Sequence, residues 1–305
     1  MKRVAVLLST FNGERYLPAL LESLALQDFE NFDLIVRDDC STDETLTILK
    51  RFSERRPLRL IPSDKNIGPA RSFMELLDAA GGLYDWYMFA DQDDWWGVDK
   101  ISRCVHALSA SEFSDVPALY CSTLQLVDES LEHVGFTKLP SLACRESALV
   151  ENVATGCTIG INRLARLKVL TSLPEGYAMH DWWLYIVVTF FGKICFDPIS
   201  SIKYRQHDAN AVGAALSTAQ DYKKKVMRFF KGLPRGVWSK SQQAEAFLKC
   251  YGSELDPQGR RLVNLLCESQ KSVSRSIYLF LFSPFKREKK VDQIFQRLFF
   301  LIGRY

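Results

Sequence analysis

Val4-Ala5-Val6-Leu7-Leu8 is an unbroken aliphatic run that stops at Ser9-Thr10-Phe11-Asn12-Gly13, after which Tyr16, Leu17, Leu20, Leu21 and Leu24 recur at helical spacing. A short run apolar at every position, a polar loop and an amphipathic stretch read as buried strand, loop and helix. The unit then repeats. Phe32 to Val36 leads into Arg37-Asp38-Asp39-Cys40-Ser41-Thr42 and a helix through Leu46, Ile48, Leu49 and Phe52. Leu58 to Ile61 is a third strand, Asn66-Ile67-Gly68-Pro69 opens a third helix toward Ala80, and Trp86 to Phe89 is a fourth strand. Strands alternating with helices every ~25–30 residues predict an α/β fold, a mainly parallel sheet covered by helices on both faces. Ligands of such sheets bind outside the carboxyl ends of the strands, so the loops just named are where a site is expected.

Composition narrows the function classes. With 305 residues, 47% hydrophobic and 25% charged, the chain is neither disordered, collagenous nor a disulfide miniprotein. No GxGxxG follows the first strand and no GxxxxGK[ST] occurs, which excludes a dinucleotide oxidoreductase and a P-loop NTPase. Eight scattered cysteines, without CxxC or paired-His spacing, read as reduced thiols of a cytosolic protein. The N-terminal apolar run is interrupted by Asn12, Glu14 and Arg15, which suits a buried strand and not an export signal. The most apolar stretches, Trp182 to Phe191 and Ile277 to Phe282, fall short of the ~18–20 residues of a spanning helix. Charge is unevenly distributed: residues 1–220 hold 21 Lys and Arg against 29 Asp and Glu, whereas residues 221–305 hold 18 against 7. A boundary near 210–220 gives a catalytic domain over 1–215 and a basic, mainly helical region over 216–305.

Four segments carry candidate chemistry. Asp91-Gln92-Asp93-Asp94-Trp95-Trp96 puts three carboxylates in four positions at the end of an apolar strand. Asp91 and Asp93 share a side by strand alternation, and hard oxygen ligands at this density suit Mg²⁺ or Mn²⁺ shared with substrate phosphates. Asp94 instead suits a solvated helix N-cap. In Asp38-Asp39-Cys40-Ser41-Thr42-Asp43, Ser41 or Thr42 reads as an N-cap, while Asp38 and Asp39 are placed to accept from a nucleobase or ribose. Met179-His180-Asp181-Trp182-Trp183 flanks an acid with aromatic rings, an environment that raises a carboxyl toward general-base range; Asp181 also reads as the helix cap. Tyr204-Arg205-Gln206-His207 offers an imidazole and a guanidinium, and Arg71, behind Gly68-Pro69, a further phosphate partner.

Taken in order, with Thr155-Gly156-Cys157-Thr158 added, these segments resemble the family 2 glycosyltransferases of GT-A fold, especially the bacterial rhamnosyltransferase-type members, over roughly residues 1–210. The resemblance implies a Rossmann-like, mixed but mainly parallel sheet followed by a C-terminal helical region. It implies nucleotide contacts from Thr10, Phe11, Asn12 and Glu14, and a base- or ribose-holding acid at Asp38 or Asp39. Arg71, Asp91 and Gln92 join the donor site, and Asp91, Asp93 and His207 would hold Mg²⁺ or Mn²⁺. Asp181 matches the general base, with His180 in place of the acid that usually precedes it. Trp95, Gly156, Cys157, His180 and Trp182 are implied on the acceptor or sugar side. The implied reaction is inverting transfer from a nucleotide-diphosphate sugar, L-rhamnose from dTDP-rhamnose, to a glycan acceptor on a polyprenyl carrier in bacterial surface polysaccharide synthesis.

The basic region suggests either a membrane-facing surface or helices that pack on the catalytic domain with their cations in solvent. Tyr222, Val226, Phe229 and Phe230 within 221–231, and Ile294, Phe295, Leu298, Phe299 and Ile302 within 291–302, each share a helical face beside cations, the pattern of an interfacial helix on anionic lipid. The expected location is cytoplasmic, peripheral at the inner membrane. Two other classes use some of these features. A sugar-nucleotidyltransferase would need a Gly-rich, Lys- or Arg-bearing first loop, which is absent. A nucleic-acid-binding protein would leave the acidic loops without purpose, so no nucleic-acid partner is expected.

Overall fold

The computed structural model describes residues 3–176, 178–207, 238–270 and 272–302. They form two compact units, Met1–Leu139 with Ala154–Thr171 and Met179–Asn210, and Pro140–Val153 with Ser172–Ala178 and Ala211–Tyr305.

The first unit is built on a seven-stranded sheet. β1 (Val4–Thr10) is continuously apolar because both its edges and both its faces are covered. It pairs in parallel with β2 (Phe32–Asp38) on one side and β4 (Trp86–Asp91) on the other, and β3 (Leu58–Ile61) adds beyond β2. Helices α1 (Leu17–Ala25), α2 (Thr45–Ser53) and α3 (Pro69–Ala79) connect these strands. The register sets Thr10 opposite Asp38 and Ser9 opposite Asp91, so three loops leave the sheet at one level. The strand, loop and helix series predicted over residues 4–89 is therefore the one observed.

Beyond β4 the chain forms elements too short for periodicity to reveal. β5 (Trp95–Trp96) and α4 (Lys100–Leu108) are followed by β6 (Ala118–Ser122), β7 (Gln125–Val127) and β8 (His133–Phe136). In chain order α5 (Arg145–Ala148) belongs to the second unit, and β9 (Gly160–Asn162), α6 (Arg163–Thr171), α7 (His180–Phe191), β10 (Lys193–Asp197) and β11 (Ile202–Arg205) complete the first. β9 runs antiparallel between β4 and β6, and β10 lies parallel to β6 at the edge. A second sheet orders β5, β11, β7 and β8. It pairs Ile202 with Trp96 and Lys203 with Trp95, which delivers the end of β11 to the loop that follows β4.

The second unit contains α5 and helices α8 (Lys240–Tyr251), α9 (Pro257–Cys267), α10 (Val273–Phe282) and α11 (Lys290–Leu301). Ser239 caps α8 by accepting from the Gln242 amide, and Asp256 caps α9 by accepting from Gly259. The predicted apolar face of 291–302 is partly internal: Phe299 is buried while Ile294 is exposed. The 221–231 segment lies outside the described residues. All eight cysteines are free thiols. No described helix is long and apolar enough to cross a membrane.

Gly192 ends α7 where the chain turns into β10. A Cβ there would lie 1.8 Å from the Pro117 carbonyl oxygen, and that oxygen is fixed because it accepts from the Lys193 amide at 2.9 Å. Gly192→Ala is expected to destabilise the protein by about 2 kcal/mol, the scale of core overpacking, read as a lower urea midpoint at unchanged slope; an unchanged midpoint contradicts the packing described.

Candidate active site

The first two loops lock each other through side chains that bond backbone. Asn12 stands at φ 45°, a left-handed conformation that Asn tolerates, and its amide donates to Ser41 Oγ at 2.9 Å while its side-chain oxygen accepts from the Thr42 amide at 2.9 Å. Gly13 donates to Thr45 Oγ1, Glu14 donates to Asp43, and Glu44 donates back to the Glu14 carboxylate. The N-cap of α2 is Glu44, not Ser41 or Thr42 as their spacing suggests, and Asp43 just before it accepts from the Thr45 amide at 3.0 Å.

Asp38 accepts from the Thr10 hydroxyl at 2.8 Å and from both the amide and hydroxyl of Ser41. Asp39 accepts from Arg37 and from the amides of Ile67 and Gly68, which holds the start of α3. Gly68 has φ 79°, a conformation that costs glycine little. Both carboxylates are buried with three protein donors each, and a carboxylate has about four lone-pair sites, so one remains on each. Phe11, Asn12, Glu14 and Arg71 are exposed beside these buried anchors.

Gln92 clamps the first loop from the other side. Its amide oxygen accepts from the Phe11 amide and its nitrogen donates to the Phe11 carbonyl, both at 2.9 Å. A Cβ at Gly13 would meet that oxygen at 2.3 Å, so glycine is what lets the clamp close.

Three carboxylates meet where β4 ends. Asp93 receives His207 Nε2 at 2.8 Å. This is a hydrogen-bonding distance, and the pair supplies one carboxylate and one imidazole, two of the several donors that a divalent cation would need. Asp94 is wholly buried and caps no helix, contrary to the solvated N-cap its position suggests. One of its oxygens accepts from the Arg205 amide at 3.2 Å and the other has no hydrogen-bond partner among the described residues. Among the described residues the three ligand atoms that lie within 4.8 Å of one another belong to Asp91, Asp94 and Cys157, and not to the expected Asp91, Asp93 and His207; the thiol of that group is a poor partner for a hard cation.

The electrostatics follow from this crowding. Burial, then the charges of Asp93 and Asp181, push the Asp91 carboxyl up to about 7. Burial, then the charges of Asp93 and Asp91, push Asp94 well above the usual carboxylate range. Lys100, which motif reading missed, lies near these acids, and burial lowers its pKa below the ordinary lysine value. Its side chain is completely buried, sits 4.9 Å over the Trp96 ring, and feels Cys157, Cys104 and Asp94. Arg205 is also internal: it donates to the carbonyls of Asp93 and Glu129 and lies over the Tyr16 ring, so its role is to shape the loop and not to reach phosphate.

Asp181 lies in the first turn of α7, partly exposed, with Oδ1 accepting from the Trp182 amide at 2.6 Å. The N-cap is Met179 and not Asp181. His180 faces inward, with rings of Phe73 and Phe89 at 4.2 and 5.5 Å; neither nitrogen finds a partner among the described residues, and burial lowers its pKa to about 3. A Cβ at Gly156 would stand 3.0 Å from its Nε2. Trp95 and Trp182 keep exposed surface, whereas Trp96, Trp183, Gly156 and Cys157 are buried. The structure thus gathers Asp91, Asp93, Asp94, Cys157 and His207 around the end of β4, with Asp181 close enough to raise Asp91, and leaves His180 as an internal ring.

The family model described as Glycosyl transferase family 2 matches residues 5–170. The chain belongs to this family. It is therefore a glycosyltransferase. Among curated relatives it is similar to the dTDP-rhamnosyl transferase RfbG of Shigella flexneri, with 28% identity over 251 residues covering 77% of this chain and 81% of the relative. An uncharacterized glycosyltransferase of Rickettsia typhi, RT0329, is 24% identical over 76% of this chain and 73% of its own. Solved structures of GT-A enzymes share the fold: TarS 1–349 of S. aureus, in complex with UDP-GlcNAc, superposes with a TM-score of 0.58 at 20% identity over 100% of this chain and 82% of that one. The mannosyltransferase PcManGT of Pyrobaculum calidifontis, with GDP-Man and Mn²⁺, gives 0.50 at 16% over 99% and 85%. These agree with the Rossmann-like, mainly parallel sheet and C-terminal helices predicted from sequence.

Raising a carboxyl pKa on folding has a defined consequence for stability. Folded Asp91 retains a proton up to about pH 7 that an unfolded carboxyl with a pKa of 3.8 has released. The folded state then binds more protons than the unfolded one between those values, so stability falls as pH rises through that window. Thermal unfolding in EDTA is expected to show a declining melting temperature from pH 5 to 7, and Asp91→Asn to flatten it; an equal decline in the variant contradicts the assignment.

Proposed function

We propose that the protein transfers a sugar from a nucleotide-diphosphate donor to a hydroxyl of a glycan acceptor with inversion at the anomeric carbon, the donor being dTDP-L-rhamnose. What supports this reading is the pairing of Asp93 with His207 just after β4, beside an Asp91 carboxyl that feels the charges of both Asp93 and Asp181. The extent of the similarity to the Shigella dTDP-rhamnosyl transferase supports the choice of donor.

The exposed segment Phe11 to Glu14 would contact the nucleotide, with the remaining acceptor sites of Asp38 and Asp39 for base or ribose. Asp91 would approach the ribose and Arg71 a phosphate. Gln92, with both ends of its amide on Phe11, would act by fixing the loop as much as by touching the donor. Asp91, Asp93 and His207 would hold Mg²⁺ or Mn²⁺; a bound ion supplies positive charge to the diphosphate leaving group. Asp181 would take the proton of the attacking hydroxyl, and Trp95 and Trp182 would offer flat faces to sugar rings. Gly156 and Cys157 would form the wall behind the sugar. His180, as a buried neutral ring at the start of α7, would orient Asp181 and not bind acceptor directly.

The acceptor fitting this reading is a polyprenyl-linked glycan made at the cytoplasmic face of the inner membrane during surface polysaccharide synthesis. Incubation with dTDP-rhamnose, UDP-hexoses and GDP-mannose, with Mn²⁺, is expected to release nucleoside diphosphate most rapidly from dTDP-rhamnose, and NMR of the product to show the inverted anomer. Release of pyrophosphate would instead identify a nucleotidyltransferase. Asp181→Asn is expected to lower kcat at least ~10²-fold with donor affinity unchanged, the scale of losing a general base; full turnover in the variant would remove Asp181 from the reaction.

A further inference from the structure

We propose that α10 of the second unit is a docking surface for an anionic lipid bilayer. Only Leu279 of this helix is buried; Val273 is 77% exposed, Phe282 65%, and Ile277, Tyr278 and Leu281 are exposed between them. At 100° per residue these five span about half the circumference, with Leu279 pointing to the other side. Exposed Ser274 sits among them and Arg275 borders them, and five exposed large apolar side chains on one side of a helix mark an interaction site.

The surrounding charge selects the partner. Lys286, Lys289 and Lys290 follow α10 directly, are exposed, and make no ion pair among the described residues. Arg297 approaches the end of the helix, where it donates to the Leu281 carbonyl at 3.5 Å. The nearby acids are engaged within the unit: Glu288 accepts from the amides of Ser141 and Leu142 and the Ser141 hydroxyl, and Asp292 faces Arg287 at 3.6 Å. An apolar face bordered by unpaired lysines suits the interface of a bilayer carrying negative headgroups, where the side chains enter the acyl boundary and the ammonium groups stay at the phosphates. A second copy of the chain fits less well, because a self-complementary contact places the same lysines against each other. The neighbouring helix α11 is the less apt element, since Phe299 and Phe300 are already internal.

The choice of a bilayer draws on the proposed lipid-linked acceptor, but the docking is testable without any sugar. The full-length protein is mixed with phosphatidylcholine vesicles containing 30% phosphatidylglycerol or none, and flotation is measured at 0.05 and 0.5 M NaCl. The protein is expected to float with the anionic vesicles at low salt. The paired substitution Ile277→Glu and Phe282→Glu should weaken binding at least tenfold, and Lys286→Gln with Lys289→Gln and Lys290→Gln should remove its salt dependence. Circular dichroism melts establish that each variant is folded, and release of nucleoside diphosphate in vesicle-free solution, unchanged in both, separates this result from failure of the transferase reading. Absence of flotation by the wild type, equal flotation by the Glu variant, or concentration-dependent dimerisation abolished by that variant would each overturn the proposal.

Discussion

Like charges crowded at the end of one buried strand are the constraint around which the first unit is arranged. Asp91, Asp93 and Asp94 leave β4 within four residues, and such carboxylates repel unless cations, donors or protons compensate. The chain meets this in three directions. Lys100 comes from the first turn of α4, the Arg205 amide from the end of β11 and His207 from just beyond it, and burial among like charges pushes the Asp91 and Asp94 carboxyls up toward the neutral form.

The loops of β1 and β2 are fixed by a different device. Their backbones are tied to each other's side chains, through Asn12 and Ser41, Gly13 and Thr45, and Glu14 with Asp43, and Gln92 fastens Phe11 from the β4 side. Such reciprocal bonds hold Asn12 and Cys40 in the left-handed region, where non-glycine residues gather mainly at functional sites. The result is a rim of exposed residues on a rigid base, which favours binding without a large ordering cost.

The first four strands and three helices were legible because fully covered parallel strands are continuously apolar and their connecting helices keep a clear period. The acidic segments were legible too, since polar runs directly after such strands have few purely structural uses. What could not be read was the second sheet. β5 has two residues and β7 three, too few for any period, yet their pairing with β11 is what sets His207 beside Asp93. The same gap concealed the character of Asp94 and Arg205. Each looks like a surface group by spacing, and each is internal because β11 crosses the loop after β4. Lys100 was missed because an isolated lysine at the start of a helix carries no signal of burial. The inward turn of His180 depends on the rings of Phe73 and Phe89, which no local pattern links to it.

The carboxylates at the end of β4, together with His207, are proposed above as the cation-dependent seat of a nucleoside diphosphate. Isothermal titration of the protein with dTDP, with and without Mn²⁺, tests it most directly. Mn²⁺ is expected to strengthen dTDP binding at least tenfold in the wild type and to leave it nearly unchanged in Asp93→Asn. Equal affinity with and without the ion in the wild type, or an undiminished Mn²⁺ effect in Asp93→Asn, would contradict it.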